Sequence, residues 1–198
     1  MSSGIRTLET SLRAESAGRR IPNAVLGMAI FVAAEVMFFA GLISAQTIVR
    51  STALGGVWPP PGQPRLPIEQ TAFNTLVLFV SGFFLWAGNR SLNTMPRAAL
   101  RYLAAAIVSG IAFVSLQGME WVALLREGLT MRSSTHGAFF YLIVGAHALH
   151  AVAAIVALTW VYIRMCRGNP MPGAFAATRV FWYFVVFLWP IIYWRVYL

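Results

Sequence analysis

Past residue 22 the chain consists of long apolar runs separated by short polar breaks, and the runs are too long and too uniform for half-buried strands or surface helices. Five windows reach the roughly 20 mostly apolar residues that carry a helix across a bilayer: 23–48, 71–92, 97–125, 136–164 and 177–197. The pattern predicts an all-α, polytopic membrane protein, with five transmembrane helices in one bundle over 23–198 and a polar arm over 1–22. Loops this short predict that consecutive helices pack as neighbours. The apolar run after the arm, at about 25 residues, exceeds the roughly 7 to 15 of a signal-peptide core and is expected to stay as a span.

Small residues mark the predicted contact faces: Gly41, Ser44 and Ala45 on the first helix, Ser109 and Gly110 on the third, and Gly145, Ala146, Ala153 and Ala157 on the fourth. In lipid, close approach of helix backbones supplies much of the packing energy. Trp121, Trp160, Trp182 and Trp194 fall near span ends, where indoles prefer the headgroup level.

Composition agrees with this class and adds an orientation. Of 198 residues 59% are hydrophobic and 11% charged, against roughly 25% charged in a soluble domain. The net charge of +9 comes from 15 Arg against 6 Glu, with neither Lys nor Asp. These arginines sit at the ends of apolar runs, so the charge reads as membrane topology, with no nucleic-acid partner. Arg6, Arg13, Arg19, Arg20, Arg90, Arg97, Arg101, Arg164, Arg167 and Arg179 flank one side, against Arg50, Arg65, Arg126, Arg132 and Arg195 on the other. Ten against five predicts a cytoplasmic N-terminus and an outside C-terminus. The first outside loop contains GGVWPPPGQPRLP, whose prolines favour an extended path that lies across the bundle's own surface or docks on a partner.

Little in the chain can hold a redox centre. Cys166 is the single cysteine, which excludes an internal disulfide, a Cys₄ zinc or iron–sulfur site and a copper pair that needs two cysteines. His136, His147 and His150 all fall on the fourth helix, so no second helix supplies the opposite ligand of a bis-histidine haem. His136 and His147 are separated by roughly 16 Å along that helix and cannot share one metal ion. Ionisable residues within the spans reduce to Glu35, Glu120, His147 and His150. Counting 1.5 Å per residue puts Glu35 about 18 Å deep from one end and His147 about 16 Å from the other, both near the midplane. A charged carboxylate there costs at least about 2.5 to 3.5 kcal/mol, so Glu35 is expected either to carry its proton or to be paired, with His147 or His150 as its partner.

In chain order the motifs AEVMFFAGL, VWPPPG, FNTLVLFVSGFFLWAGNRSL, SLQGMEWVAL, HGAFFYLIVGAHALH and FWYFVVFLWPIIY resemble those of subunit III of the haem–copper cytochrome c oxidases, over about residues 24 to 197. The resemblance is to the five-helix bacterial form, beginning where longer members have their third helix. On that resemblance, two helices that form one wall of a lipid-filled cleft in those members would be expected to lack a counterpart here. It implies a non-catalytic subunit without cofactors of its own, in a bacterial inner membrane. Its partners would be catalytic subunit I, subunit II and other oxidase subunits, which hold the haems and copper. Phospholipid binding and a part in oxygen access or proton uptake come with the family. On this reading Glu35 matches the family's buried carbodiimide-reactive glutamate, Glu120 its outer-side glutamate, and His147 and His150 its paired histidines, while Trp58 and Asn74 match their motifs. The last helix departs: Trp182, Tyr183, Phe184, Val185 and Val186 stand where the family usually shows Trp-His-Phe-x-Asp. Other readings are the third subunit of a quinol oxidase, a nitric oxide reductase accessory protein, a stand-alone proton or small-molecule transporter built around Glu35, and a membrane cytochrome.

Overall fold

The structure, a computed structural model, describes residues 22–52 and 62–198. Within them five helices follow one another: α1 (Asn23–Ser51), α2 (Ile68–Ser91), α3 (Pro96–Arg126), α4 (Thr135–Cys166) and α5 (Pro172–Ile192), the last running on into a wider π turn over Tyr193–Tyr197. All five are long and apolar enough to cross a membrane, and the described residues contain no strand. Every helix extends beyond its predicted window at one end or both, because the ends are fixed by capping chemistry that a hydropathy window does not register. Pro96 and Pro172 open α3 and α5 at the one position where a missing N–H costs nothing. Ser134 caps α4 by accepting from the Gly137 amide at 3.0 Å. Gly128 and Gly168, with φ of 92° and 70°, close α3 and α4 in left-handed turns. Leu129 and Asn169 then donate back to Leu124 and Arg164, satisfying carbonyls the helices would otherwise leave open.

Packing follows a spacing of alternating three and four residues, the repeat of helices that cross at shallow angles. On α2 the buried positions Thr71, Asn74, Leu78, Ser81, Leu85 and Gly88 form such a seam, facing Ala99, Leu103, Ala106, Gly110, Phe113, Gln117 and Glu120 of α3. This is the closest pairing in the bundle: Ser81 Oγ donates to the Ala106 carbonyl at 2.7 Å, and Gly88 admits the α3 backbone beside it. α5 lies centrally against α1, α2 and α4, with Trp182 and Trp189 fully buried.

Three expectations are corrected. α1 packs on α5 and α4 and not principally on α2, so the sequential order fails at the first helix. Its contact seam is Met28, Val32, Glu35, Phe39, Leu42 and Gln46, while Gly41, Ser44 and Ala45 face outward, as does Ala153 on α4. The reason is side-chain reach: one narrow stripe with Phe39 at its centre holds α1, and at Gly41 an added Cβ would meet nothing within 4 Å. Trp182 is a core residue rather than a headgroup-level one, its ring seated on Gly110, where an added Cβ would lie 2.5 Å from it. Gly110 does lie at a contact, and Trp160 and Trp194 are exposed.

Candidate functional site

Two acids lie inside the bundle, and each is built into a different kind of surrounding. Glu120 sits at the junction of α2, α3 and the π turn and is 7% exposed. Its Oε1 accepts from Asn74 Nδ2 at 2.7 Å; its Oε2 accepts from Gln117 Nε2 at 2.7 Å and from Thr71 Oγ1 at 2.9 Å. Thr71 and Asn74 are three residues apart on α2, as Gln117 and Glu120 are on α3, so each pair shares one helical face. Gln117 Nε2 also donates to the Tyr197 hydroxyl at 3.0 Å, and Trp189 Nε1 donates to Thr75 Oγ1 at 2.9 Å. The π turn that follows Pro190 brings Tyr197 into reach. Among the described residues no cation pairs with Glu120. On its outer side it borders a groove of about 510 Å³ between α2 and α3, lined also by Glu69, Gln70, Phe73 and Met119.

Glu35 occupies a seam position of α1 near mid-span. Its Oε2 lies 3.0 Å from His150 Nε2 of α4, with the Glu35 and His150 side chains 19% and 13% exposed. His150 Nδ1 lies 2.7 Å from the Ala146 carbonyl one turn back. A carbonyl only accepts, so Nδ1 carries a hydrogen, and a single further proton is left for the contact between Nε2 and Oε2. Whichever atom holds it, the pair is neutral overall. Aromatic rings wall the pair: Phe39, Phe181, Phe184 and Phe31 have centroids 5.5, 6.2, 6.3 and 6.4 Å from that of His150. Such an enclosure can hold one proton, and passing it between Oε2 and Nε2 leaves the pair's net charge unchanged.

His147 does not pair with Glu35. It is fully enclosed, its ring tilted over Trp189 at 4.9 Å and edged by Phe113 and Phe39. Asn74 joins the Glu120 cluster, and Trp58 lies outside the described residues. Described residues of the proline-rich loop turn back on the bundle, where Gln63 Oε1 accepts from Ser133 and Ser134. Sequence reasoning missed Thr71 and Gln117 as partners of Glu120, and Tyr197 as a partner of Gln117. The three-residue spacing to Asn74 and Glu120 was the available signal for the first two; Tyr197 left none, because its placement depends on the π turn. No group of three or more His, Cys, Asp or Glu among the described residues is placed to hold a metal ion.

Comparison with known proteins places this geometry. The profile of the family described as cytochrome c oxidase subunit III matches residues 17–198. The chain belongs to that family. Subunit III is a non-catalytic subunit of a haem–copper oxidase, so the chain works in a membrane beside oxidase partner subunits. It is similar to a probable cytochrome c oxidase subunit 3 of Mycobacterium leprae, 32% identical over 96% of this chain and 95% of that one. A protein of the same description in Mycobacterium tuberculosis is 31% identical over the same shares. Subunit 3 of Gallus gallus is 30% identical over 86% of this chain and 67% of its own. These matches favour neither a transporter nor a membrane cytochrome. Where the family's polar Trp-His-Phe-x-Asp is replaced, Trp182, Phe184, Val185 and Val186 are buried, and Val186 packs on Gly82. Hydrocarbon fills that part of the helix interface.

Proposed function

We propose that the chain supports the catalytic subunit I of a cytochrome c oxidase, beside subunit II, in a bacterial inner membrane with its N-terminus cytoplasmic. The haems and copper belong to those partners. The observation that carries this reading is a family match over nearly the whole chain, combined with an interior in which Glu35 meets His150 and Glu120 meets Asn74. The arginine bias supports the orientation. The interior argues for two tasks: Glu120 and its donors tie α2 to α3, while the Glu35–His150 pair exchanges a proton within the bundle.

Phospholipid is a further proposed ligand. An apolar groove of about 400 Å³ between α2 and α5 is lined by Phe79, Gly82, Phe83, Trp86, Tyr183 and Phe187. Arg90 lies over the Trp86 ring at 5.6 Å. Acyl chains suit the groove, and the guanidinium suits a phosphate headgroup. Isolation of the native complex in mild detergent, with identification of its proteins and lipids, tests the whole reading. A haem–copper large subunit and a subunit with a copper-pair cysteine motif are expected to copurify; a chain that runs alone refutes the assignment.

A further inference from the structure

We propose that a small cavity between α3, α4 and α5 is a binding site for ordered water. It has a volume of about 90 Å³ and is lined by Phe113, Gln117, Gly118 and Trp121 of α3, His147 of α4 and Trp189 of α5. Three of these residues bring buried polar atoms without a hydrogen-bond partner among the described residues: Gln117 Oε1, Trp121 Nε1 and both ring nitrogens of His147. Gln117 and His147 are only 4% and 1% exposed. The Gln117 amide cannot turn to relieve this, because its Nε2 already donates to Glu120 and Tyr197. Its Oε1 is thereby fixed as an acceptor.

The chemistry of the lining selects the ligand. Trp121 Nε1 can only donate, Gln117 Oε1 can only accept, and a neutral imidazole offers one of each. A ligand must therefore both donate and accept within a small volume. Water does so, and neither dioxygen nor an acyl chain does. Each water occupies roughly 30 Å³ in the liquid, so the cavity has room for a few. Bound there, they continue the hydrogen-bonded chain that runs from Asn74 through Glu120 and Gln117 and bring it to His147. The lining comes from described residues of this chain alone.

Gly118 supplies the test. It lines the cavity, and a Cβ added to it meets nothing within 4 Å, so a larger side chain can be built there at the cavity wall without displacing a neighbour at its Cβ. In the complex isolated from its native membrane, electron cryomicroscopy at water-resolving quality is expected to show compact density within hydrogen-bond distance of Trp121 Nε1 and Gln117 Oε1. Gly118→Val should abolish that density while the helices superpose. X-ray hydroxyl-radical labelling, which marks side chains beside bound water, should modify Trp121 in the native chain and fall several-fold in Gly118→Val. Rod-like density continuous with lipid overturns the proposal, as does an unlabelled Trp121 beside featureless density.

Discussion

Glu120 and Glu35 are both acids within membrane-spanning helices, and their surroundings differ in one decisive way. Glu120 faces three neutral donors from two helices, a set that only an acceptor can satisfy. Glu35 faces a single imidazole, which can give or take the proton it shares. The first arrangement fixes geometry, since moving the carboxylate costs three buried donors a hydrogen bond at once. The second ties α1 to α4 at one point and leaves the proton transferable. An acid in lipid can thus be retained for two unrelated reasons, and its partner's ability to ionise distinguishes them.

Removing Glu120 should break the comparison most severely. Glu120→Leu strands the Asn74 amide, takes from the Gln117 amide one of its two acceptors and should lower bundle stability on the order of 3 kcal/mol, read as earlier thermal loss of the monodisperse complex in detergent. His150→Leu removes the only partner of Glu35 among the described residues, at a mostly buried seam, and should lower it by about 1 kcal/mol in the same assay. Glu35→Gln keeps a hydrogen bond to His150 and should leave stability within about 0.5 kcal/mol, yet abolish labelling by a membrane-permeant carbodiimide. Labelling that persists in that variant shows the reactive acid to lie elsewhere. The smallest effect is expected from Thr71→Val, below about 0.5 kcal/mol. Its one hydroxyl hydrogen is already divided between Glu120 Oε2 and the Pro67 carbonyl, each at 2.9 Å.

The helices were legible because a bilayer admits so few solutions, and hydropathy alone marks them. Depth counting put Glu35 and His147 near mid-span and so made an α4 histidine legible as the partner of Glu35, but left open whether it was His147 or His150; the choice of His150 needed the structure. Helix order was not legible, because a short loop constrains where a helix ends and says little about which neighbour its stripe faces; α1 reaches past α2 to α5. The outward turn of Gly41, Ser44 and Ala45 has the same origin, as packing through Phe39 makes small residues unnecessary there. The core position of Trp182 was hidden because a span-end tryptophan can sit on a glycine of a neighbour as readily as at a headgroup. Tyr197 was hidden too, for its hydroxyl reaches Gln117 only through the change of helical pitch after Pro190.

The docking of α1 on α5 also sets a timetable. α1 packs on a helix that is synthesised well after it, and 146 residues separate the end of α1 at Ser51 from the end of the π turn at Tyr197. At roughly 5 to 20 residues per second, synthesis keeps the two apart for on the order of ten to thirty seconds. For much of that interval Glu35 is in or near the bilayer before His150 exists. The nascent chain must therefore be tolerated by the insertion machinery with an acid whose base has not yet been translated, and the order of translation constrains the sequence of α1 as much as the finished bundle does.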